Sequence, residues 1–370
     1  MKFGKKLFPL TLLPLMMLGA GGAAEANTTK IPADSPKIQY FGRWHADGGV
    51  YASNWGATYI TAIFTGTSLY ADLSENPNVW WRVSIDGGAY RRFKAQGENT
   101  LLAENLEPGS HTMRLVRSTE GGGGIAEFRG FALDEYHSLL KPVIKLERRL
   151  EFVGDSITAG AMNDGTYWES KANYYDVEDG DMAYGPQLAR MLGADYSVIG
   201  VSGQGVVHNY AEEPPYDGVH TADSYEWTYY DSVYREDNPP WDTAKFPVDA
   251  IIVSIGTNDF IDRANLTEED FKAGYDRLLT VIRNRNPGKP IICVEPLPAW
   301  VGTDARRWIT DVIAEQEKNG QENLHYIAVN ETEPLLTAED YTDGETHPNK
   351  RGTAKFAAFL RQKVASVLGW

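Results

Sequence analysis

A change of sequence pattern near Arg148 constrains the fold more than any other feature. After it, short apolar segments alternate with longer amphipathic ones, as in a parallel sheet covered by helices on both faces. A helix is predicted from Thr267 to Asn286, capped by Thr267 with Asp270 three residues on. The predicted strands are Leu150 to Val153, Asp195 to Ile199, Ala250 to Ile255, Pro290 to Val294 and His325 to Val329.

The preceding region, from about Ile38 to Asp134, has the pattern of an all-β structure. Short strand signals separated by turn residues recur roughly every 8 to 12 residues without a helical period, which favours an antiparallel sandwich. Asp86-Gly87-Gly88 is predicted to be a hairpin turn. The run Gly121 to Gly124 is predicted to be a flexible loop rather than a phosphate cradle, because no helix start follows it.

The N-terminus has the three parts of a secretory signal. Lysines precede an apolar stretch from Leu7 to about Leu18, and small residues follow, ending in Ala24-Glu25-Ala26. The stretch is too short for a comfortable membrane span. We therefore predict a cleaved signal at residues 1–26 and a secreted or periplasmic protein that is not membrane-bound after cleavage. The predicted division continues with a β-sandwich at 27–136, a linker at 137–149 and an α/β domain at 150–370.

Charge and cysteine content exclude several classes of partner. The 370 residues include 35 basic and 51 acidic ones, for a formal net charge of −16, which argues against nucleic acid and anionic membranes as partners and favours a neutral substrate. The single cysteine, Cys293, excludes a disulfide framework and a Cys-rich zinc site. Neither a cluster with metal-ligand spacing nor a phosphate-binding glycine fingerprint occurs, so we predict no metal and no cofactor.

Reactive groups in a parallel sheet collect beyond the carboxyl ends of its strands. Gly154-Asp155-Ser156 follows the first predicted strand and places a hydroxyl there, although Ser after Asp is also an ordinary start of a helix. Asn258 follows another strand in Gly256-Thr257-Asn258-Asp259, where its amide can donate to an oxyanion or cap the next helix. In Gly200-Val201-Ser202-Gly203-Gln204-Gly205, three glycines allow a close backbone approach to a ligand, or simply a flexible turn.

His347 lies in a loop just before the last predicted helix. An imidazole in such a loop can act as a base, and the carboxylates of Asp343 and Glu345 precede it closely. Together with Ser156 and Asn258, these residues comprise a nucleophile, a base, an orienting acid and an oxyanion donor.

These blocks resemble, in order and spacing, those of the SGNH (GDSL) hydrolases. The segments Phe152 to Gly160, Ser202 to Tyr210 and Gly256 to Phe260 are more narrowly similar to carbohydrate esterase family 2. Phe41 to Trp44, Phe64 to Leu69 and Gly109 to Thr112 resemble the jelly-roll domain of that family. The resemblance covers essentially the whole chain after the signal.

The resemblance implies roles for individual residues. Ser156 would attack an acetyl ester, and His347 would take its proton and pass it to the leaving alcohol. The family commonly has the orienting acid two residues before the histidine, which favours Glu345; Asp343 is the alternative, and a backbone carbonyl remains open.

The resemblance also implies an oxyanion hole and a sugar contact. The donors would be the backbone N–H of Ser156, the N–H of Gly205, with Gly203 as the fallback, and the amide of Asn258. Trp300, after the fourth strand, would stack on a sugar ring, unless it is buried against a neighbouring helix. The aromatic and acidic segment Asn209 to Trp241 is predicted to be a lid or rim.

The sequence therefore predicts a secreted serine carbohydrate esterase that removes O-acetyl groups from acetylated polysaccharide of the xylan or mannan type. Two alternatives remain: an SGNH lipase- or thioesterase-like hydrolase of other acyl esters, and a carbohydrate-binding protein with an inert hydrolase domain.

Overall fold

The computed structural model describes residues 28–142, 146–165, 173–232, 238–261 and 263–370. The predicted signal at 1–26 lies outside these residues, as do parts of the predicted linker and of the predicted lid. No helix within the described ranges is long and apolar enough to cross a membrane.

The N-terminal part, which we call the sandwich (residues 28–134), is built from antiparallel sheets. The first contains β1 (Thr28–Pro32), β3 (His45–Asp47), β4 (Val50–Ser53), β6 (Leu69–Leu73), β9 (Gly97–Ala103) and β11 (Ala126–Asp134), in the order β3-β4-β11-β6-β9 with β1 also paired to β11. The second contains β2 (Gln39–Phe41), β5 (Tyr59–Gly66), β7 (Trp80–Ile85), β8 (Arg91–Lys94) and β10 (Gly109–Arg117), in the order β2-β5-β10-β7-β8.

Alternating side chains hold these sheets together. Ile60 and Phe64 of β5 pack in one apolar cluster with Leu69 of β6 and Phe128 of β11, so the inward faces of both sheets share a core. The turn after β7 has positive φ angles at Asp86 (52°) and Gly87 (69°), which suits a hairpin connection to β8. The predicted antiparallel fold is confirmed.

The run Gly121 to Gly124, predicted to be a flexible loop, is packed instead. Gly121–Gly123 forms one turn of 3₁₀ helix, and Gly121 is buried. A Cβ on Gly121 would lie 2.7 Å from the Cβ of Tyr230, and one on Gly122 would lie 2.7 Å from the hydroxyl of Tyr175. Glycine is therefore needed at Gly121, because the Cβ and ring of Tyr230 lie where a side chain would project, whereas at Gly122 only the end of the Tyr175 side chain would have to move.

The C-terminal part, which we call the α/β part (residues 148–370), is built on a five-stranded parallel sheet in which the strands Ala194–Gly200 and Ala250–Ser254 are buried along their length. Cys293 is fully buried in this sheet, where burial raises the pKa of its thiol to about 12. The strands are β12 (Arg148–Gly154), β13 (Ala194–Gly200), β14 (Ala250–Ser254), β15 (Ile291–Val294) and β16 (Leu324–Ile327), in the order β13-β12-β14-β15-β16.

Helices alternate with these strands, and the predicted parallel-sheet α/β fold is confirmed. The hydroxyl of Thr267 accepts a hydrogen bond from the Asp270 backbone N–H, as predicted for a helix start. The last helix is capped in the same way by the side chain of Asn349. The helices are α1 (Ser156–Ala159), α2 (Tyr184–Met191), α3 (Thr221–Ser224), α4 (Thr257–Ile261), α5 (Glu268–Arg285), α6 (Thr303–Lys318) and α7 (Lys350–Leu368).

The sandwich packs directly on the α/β part through residues that we call the domain interface. The domain interface comprises buried or half-buried side chains of the sandwich that lie against the α/β part, together with the α/β residues that they contact. Phe41 and Tyr59 stack with ring centroids 4.4 Å apart in the α/β core, and the Tyr59 hydroxyl donates to Asp195 at 2.6 Å. The sandwich members discussed below are Arg43, Tyr59, Arg82, Arg114, Arg117 and Glu120.

Arg43 fixes part of the predicted lid to the sandwich. Its guanidinium is 1% exposed and donates to the backbone carbonyls of Tyr225 (2.5 Å) and Trp227 (2.8 Å). The same group lies 5.1 Å from the ring centroid of Tyr225 and 3.4 Å from the carboxylate of Glu151. The described part of this segment is thus held to the sandwich at Tyr225 and Trp227.

Buried acids of the α/β part form a second group of contacts in the domain interface. Asp179 and Asp181 lie 3.1 Å and 3.4 Å from Arg82, and Arg190 bonds Asp181 at 2.8 Å. Burial raises the pKa of Asp179 to about 6. Burial also acts on Asp181, but the charges of Arg190 and Arg114 prevail and lower its pKa.

Candidate active site

Ser156 lies at the carboxyl end of the central strand β12, as the first residue of α1. The carboxylate of Asp155 caps this helix by accepting the Ile157 N–H at 3.0 Å, and burial raises the pKa of Asp155 to about 6. A Cβ on Gly154 would lie 2.3 Å from the Ser254 carbonyl oxygen, so the tight turn needs glycine. Strand, turn and cap together hold the Ser156 hydroxyl at the sheet edge.

The loop before α7 brings a histidine to this hydroxyl. His347 Nε2 lies 3.0 Å from Ser156 Oγ, and His347 Nδ1 lies 2.5 Å from Asp343 Oδ2. Burial raises the pKa of Asp343, but the hydrogen bonds from His347 and Thr346 prevail and lower it to about 2. An ionised Asp343 can hold the proton on Nδ1 and leave Nε2 to accept from the serine.

The acid on Nδ1 is Asp343, so the prediction favouring Glu345 is wrong. Asp343 Oδ1 accepts the backbone N–H groups of Thr346 (2.9 Å) and His347 (2.8 Å), which folds the turn back on itself and aims Oδ2 at the ring. Gly344 allows this turn with φ of 94°, and Glu345 is exposed. An Asp-Gly pair is a turn signal, so the sequence did hold a clue that favoured Asp343.

The candidate oxyanion donors face the same edge. Asn258 lies in α4 and uses one amide hydrogen to bond the Gln204 carbonyl at 2.7 Å, leaving the other for a ligand. Among the described residues, no acceptor takes the N–H of Ser156 or that of Gly203. Gly203 is half-buried, with φ of 81°.

Gly205, which the sequence favoured as the glycine donor, is engaged elsewhere. Its N–H donates to the side chain of Asn209 at 3.0 Å. A Cβ on Gly205 would lie 1.9 Å from the His208 carbonyl oxygen, so this glycine is required by packing. The fallback, Gly203, takes its place as the candidate donor.

Asp259 is a residue whose role the sequence analysis missed. Its buried carboxylate accepts the backbone N–H groups of Val206 (2.9 Å), Val207 (2.8 Å) and His208 (3.0 Å). Burial raises the pKa of Asp259 even though these hydrogen bonds lower it in part. The carboxylate shapes the loop that carries Gly203. The sequence signal for this role was the position of Asp259 directly after Asn258, a candidate oxyanion donor.

Trp300 follows β15 in the 3₁₀ helix Ala299–Val301. Its ring is half-buried and packs against the α/β core, and its indole N–H has no partner among the described residues. Stacking of Trp300 on a sugar stays a prediction. Within the described ranges, no group of three or more His, Cys, Asp or Glu side chains is placed to hold a metal ion.

Family models match both parts of the chain. Residues 40–142 match the model described as carbohydrate esterase 2 N-terminal, and residues 152–355 match that of the GDSL-like lipase/acylhydrolase family. An acetylxylan esterase / glucomannan deacetylase of Cellvibrio japonicus is 29% identical over 322 residues, which is 84% of each protein. The cellulase/esterase CelE of Acetivibrio thermocellus is 27% identical over 91% of this chain, which spans only 40% of that larger relative.

Solved structures share the fold across both parts. A family two carbohydrate esterase from Clostridium thermocellum in complex with cellohexaose has a TM-score of 0.79 and 26% identity, covering 90% of this chain and 99% of that one. A family two carbohydrate esterase from Cellvibrio japonicus has a TM-score of 0.82 and 22% identity, covering 93% and 99%. The second likeness shows the fold alone.

Proposed function

Since the chain belongs to the GDSL-like lipase/acylhydrolase family and carries a carbohydrate esterase 2 N-terminal domain, we propose that it removes O-acetyl groups from an acetylated polysaccharide of the xylan or mannan type. The predicted family resemblance is confirmed, and the match to the GDSL-like lipase/acylhydrolase model supports the assignment as an ester hydrolase. The observation that carries the proposal is the continuous contact from Ser156 Oγ through His347 to Asp343, with distances of 3.0 and 2.5 Å.

In the proposed reaction, Ser156 Oγ attacks the acetyl carbonyl carbon while His347 Nε2 takes the hydroxyl proton. The carbonyl oxygen becomes an oxyanion and accepts from the N–H groups of Ser156 and Gly203 and from the Asn258 amide. The carbon–oxygen bond to the sugar breaks as His347 returns the proton to the leaving alcohol. Water, deprotonated by the same nitrogen, then attacks the acetyl carbonyl; the bond to Ser156 Oγ breaks, His347 returns the proton to Oγ, and acetate is released.

A neutral sugar polymer suits the charge of the protein. The formal net charge of −16 disfavours polyanionic substrates. The named activities of the Cellvibrio relative, on acetylxylan and glucomannan, point to the same class. We propose that Trp300 supplies an aromatic surface for the sugar ring, and that residues 1–26 direct the enzyme out of the cytoplasm.

Acetate release from acetylated xylan and acetylated mannan tests the proposal. We expect the wild type to release acetate and Ser156→Ala to lose at least about 10⁴-fold in kcat. Equal release by both would refute Ser156 as nucleophile. Faster turnover of longer acyl esters by the wild type would favour the lipase-like alternative, and polysaccharide binding without release would favour the binding protein.

A further inference from the structure

The loop that carries Gly203 is held by the sandwich as well as by the α/β part. Glu120 follows β10 and projects across the domain interface, where its carboxylate accepts the backbone N–H of Ser202 at 2.5 Å. Ser202 directly precedes Gly203 in the chain. The orientation of the peptide between them determines where the Gly203 N–H points.

Two further contacts bracket this peptide. The hydroxyl of Tyr174 donates to Ser202 Oγ at 2.6 Å, so both the backbone and the side chain of Ser202 are held. On the other side, the Gly203 carbonyl accepts the Tyr210 N–H at 2.7 Å. Three hydrogen bonds from separate segments therefore fix a short stretch whose left-handed glycine would otherwise have wide backbone freedom.

Glu120 is itself rigidly placed. Arg117 is fully buried and donates to the carbonyls of Thr119 (2.8 Å) and Glu120 (3.0 Å). The Glu120 N–H donates to Glu178 Oε1 at 2.6 Å. The Glu120 backbone is thus tied both to its own sandwich and to the α/β part.

The buried acid is costly in this place. Glu120 is 2% exposed and Glu178 is fully buried, so two carboxyl groups share a site without bulk water. Burial raises the pKa of Glu120 to about 7, although hydrogen bonds from Ser202 lower it in part. If the only role of this position were to hold the two parts of the chain together, an apolar side chain would stabilise the contact at least as well as a buried carboxyl group.

We propose that Glu120 is a positioning residue of the reaction, through which the sandwich aims the Gly203 N–H at the developing oxyanion. The inference rests on the proposed function, because it assigns Gly203 as an oxyanion donor. Removing one such donor in a serine hydrolase lowers kcat by about 10²- to 10³-fold, so loosening one has a smaller effect.

The test uses the full chain and p-nitrophenyl acetate, a substrate that needs the ester chemistry but no polysaccharide. Glu120→Leu removes the acceptor, and we expect kcat to fall about tenfold with KM within about twofold. Glu120→Gln keeps an oxygen acceptor, so its kcat should stay within about twofold of the wild type. Tyr59→Phe is the matched control, since it deletes another buried hydrogen bond of the domain interface, to Asp195, and should leave kcat unchanged.

Unchanged kcat in Glu120→Leu, or equal losses in Glu120→Leu and Tyr59→Phe, would overturn the inference. If Glu120→Leu shows no cooperative thermal transition, Glu120→Asp decides. That change keeps the carboxylate but shortens its reach to the Ser202 N–H, and it should lower kcat about threefold; no change would overturn the inference. An inactive wild type would instead refute the proposed function, so the two failures are distinguishable.

Discussion

The parallel sheet and the domain interface meet at the same active-site edge, yet different forces hold them. Strand β12 is apolar where it is most deeply buried, with Leu150, Phe152 and Val153 fully covered. The domain interface buries charges, with Asp181 and Arg117 wholly inaccessible to solvent. The stability gained from apolar burial depends little on pH and tolerates imperfect geometry. A buried charge, in contrast, is stable only when its oppositely charged and hydrogen-bonding partners are all in place. The comparison suggests that the sheet supplies most of the stability and the domain interface supplies the alignment.

The largest expected effect tests whether the chemistry lies on the α/β side. Asp343→Asn should lower kcat about 10³- to 10⁴-fold, because an amide no longer holds the required tautomer of His347. Glu345→Gln is the matched control and should stay within about twofold, since Glu345 is exposed. Steady-state hydrolysis of p-nitrophenyl acetate measures both, and similar losses would contradict the assignment of Asp343.

The next effect concerns the apolar sheet. Phe152 packs edge-on against Tyr184, with ring centroids 6.0 Å apart, and Phe152→Ala should lower the free energy of unfolding by about 4 kcal/mol through the cavity it leaves. Urea unfolding at pH 5 and pH 8 should give the same loss, because no charge is involved. Phe152→Leu, which keeps most of the volume, should cost about 1.5 kcal/mol. A strongly pH-dependent loss for Phe152→Ala would show that titrating groups contribute to the stability of the sheet at this position.

A charge deletion in the domain interface should cost slightly less. Asp181→Asn leaves the cations of Arg82 and Arg190 without their buried carboxylate, and we expect about 3 kcal/mol of destabilisation in urea unfolding. Asp72→Asn is the control, because its ion pair with Arg129 is solvent-exposed and should contribute less than about 1 kcal/mol. Equal costs at both sites would show that burial of the charges is unimportant.

The smallest expected effect is a dependence of stability on pH. The pKa values of Glu120 (about 7), Asp155 and Asp179 (about 6 each) are raised by burial. At pH 5 the unfolded chain has largely lost these protons while the folded chain still holds them, and the folded chain releases them as the pH rises through about 6 to 7, so stability falls between pH 5 and pH 8. We expect the melting temperature at pH 8 to be lower than at pH 5 by on the order of 5 °C.

Glu120→Gln should reduce that difference, since it removes the group with the highest of these three pKa values. Calorimetric scans of the variant and the wild type at both pH values provide the comparison. A wild-type melting temperature that rises from pH 5 to pH 8 would show that protonation of these three acids does not control how the stability of the protein depends on pH.

Sequence patterns predicted the parallel sheet because the features that form its strands and helices lie within short segments of the chain. Apolar runs that alternate with capped amphipathic helices indicate a parallel sheet. The cap at Thr267 is also found where it was predicted. Ser156 and His347 lie in contact, as predicted. The prediction was possible because the loops that carry reactive residues in a parallel sheet gather at the carboxyl ends of its strands.

The errors of prediction fall where a contact is decided by tertiary structure. Counting back two residues from His347 favoured Glu345, but the Asp343 turn determines which carboxylate faces the ring. Gly205 and Gly203 look alike in sequence, and they are separated only by tertiary contacts of Gly205: the hydrogen bond of its N–H to Asn209 and its packing against His208. Glu120 gave no sequence signal, because its partner Ser202 lies in a distant segment.

The glycine run after Glu120 has a consequence for synthesis. N-terminal domains generally fold first as a chain is made, so the sandwich can form before the segment with Tyr175 and Tyr230 exists. Until that segment arrives, Phe41 and Trp55, which end up in the α/β core, face water, and so do the bare glycines. The newly made sandwich therefore exposes apolar surface to water, and the later half of the chain removes that exposure when it folds against the sandwich.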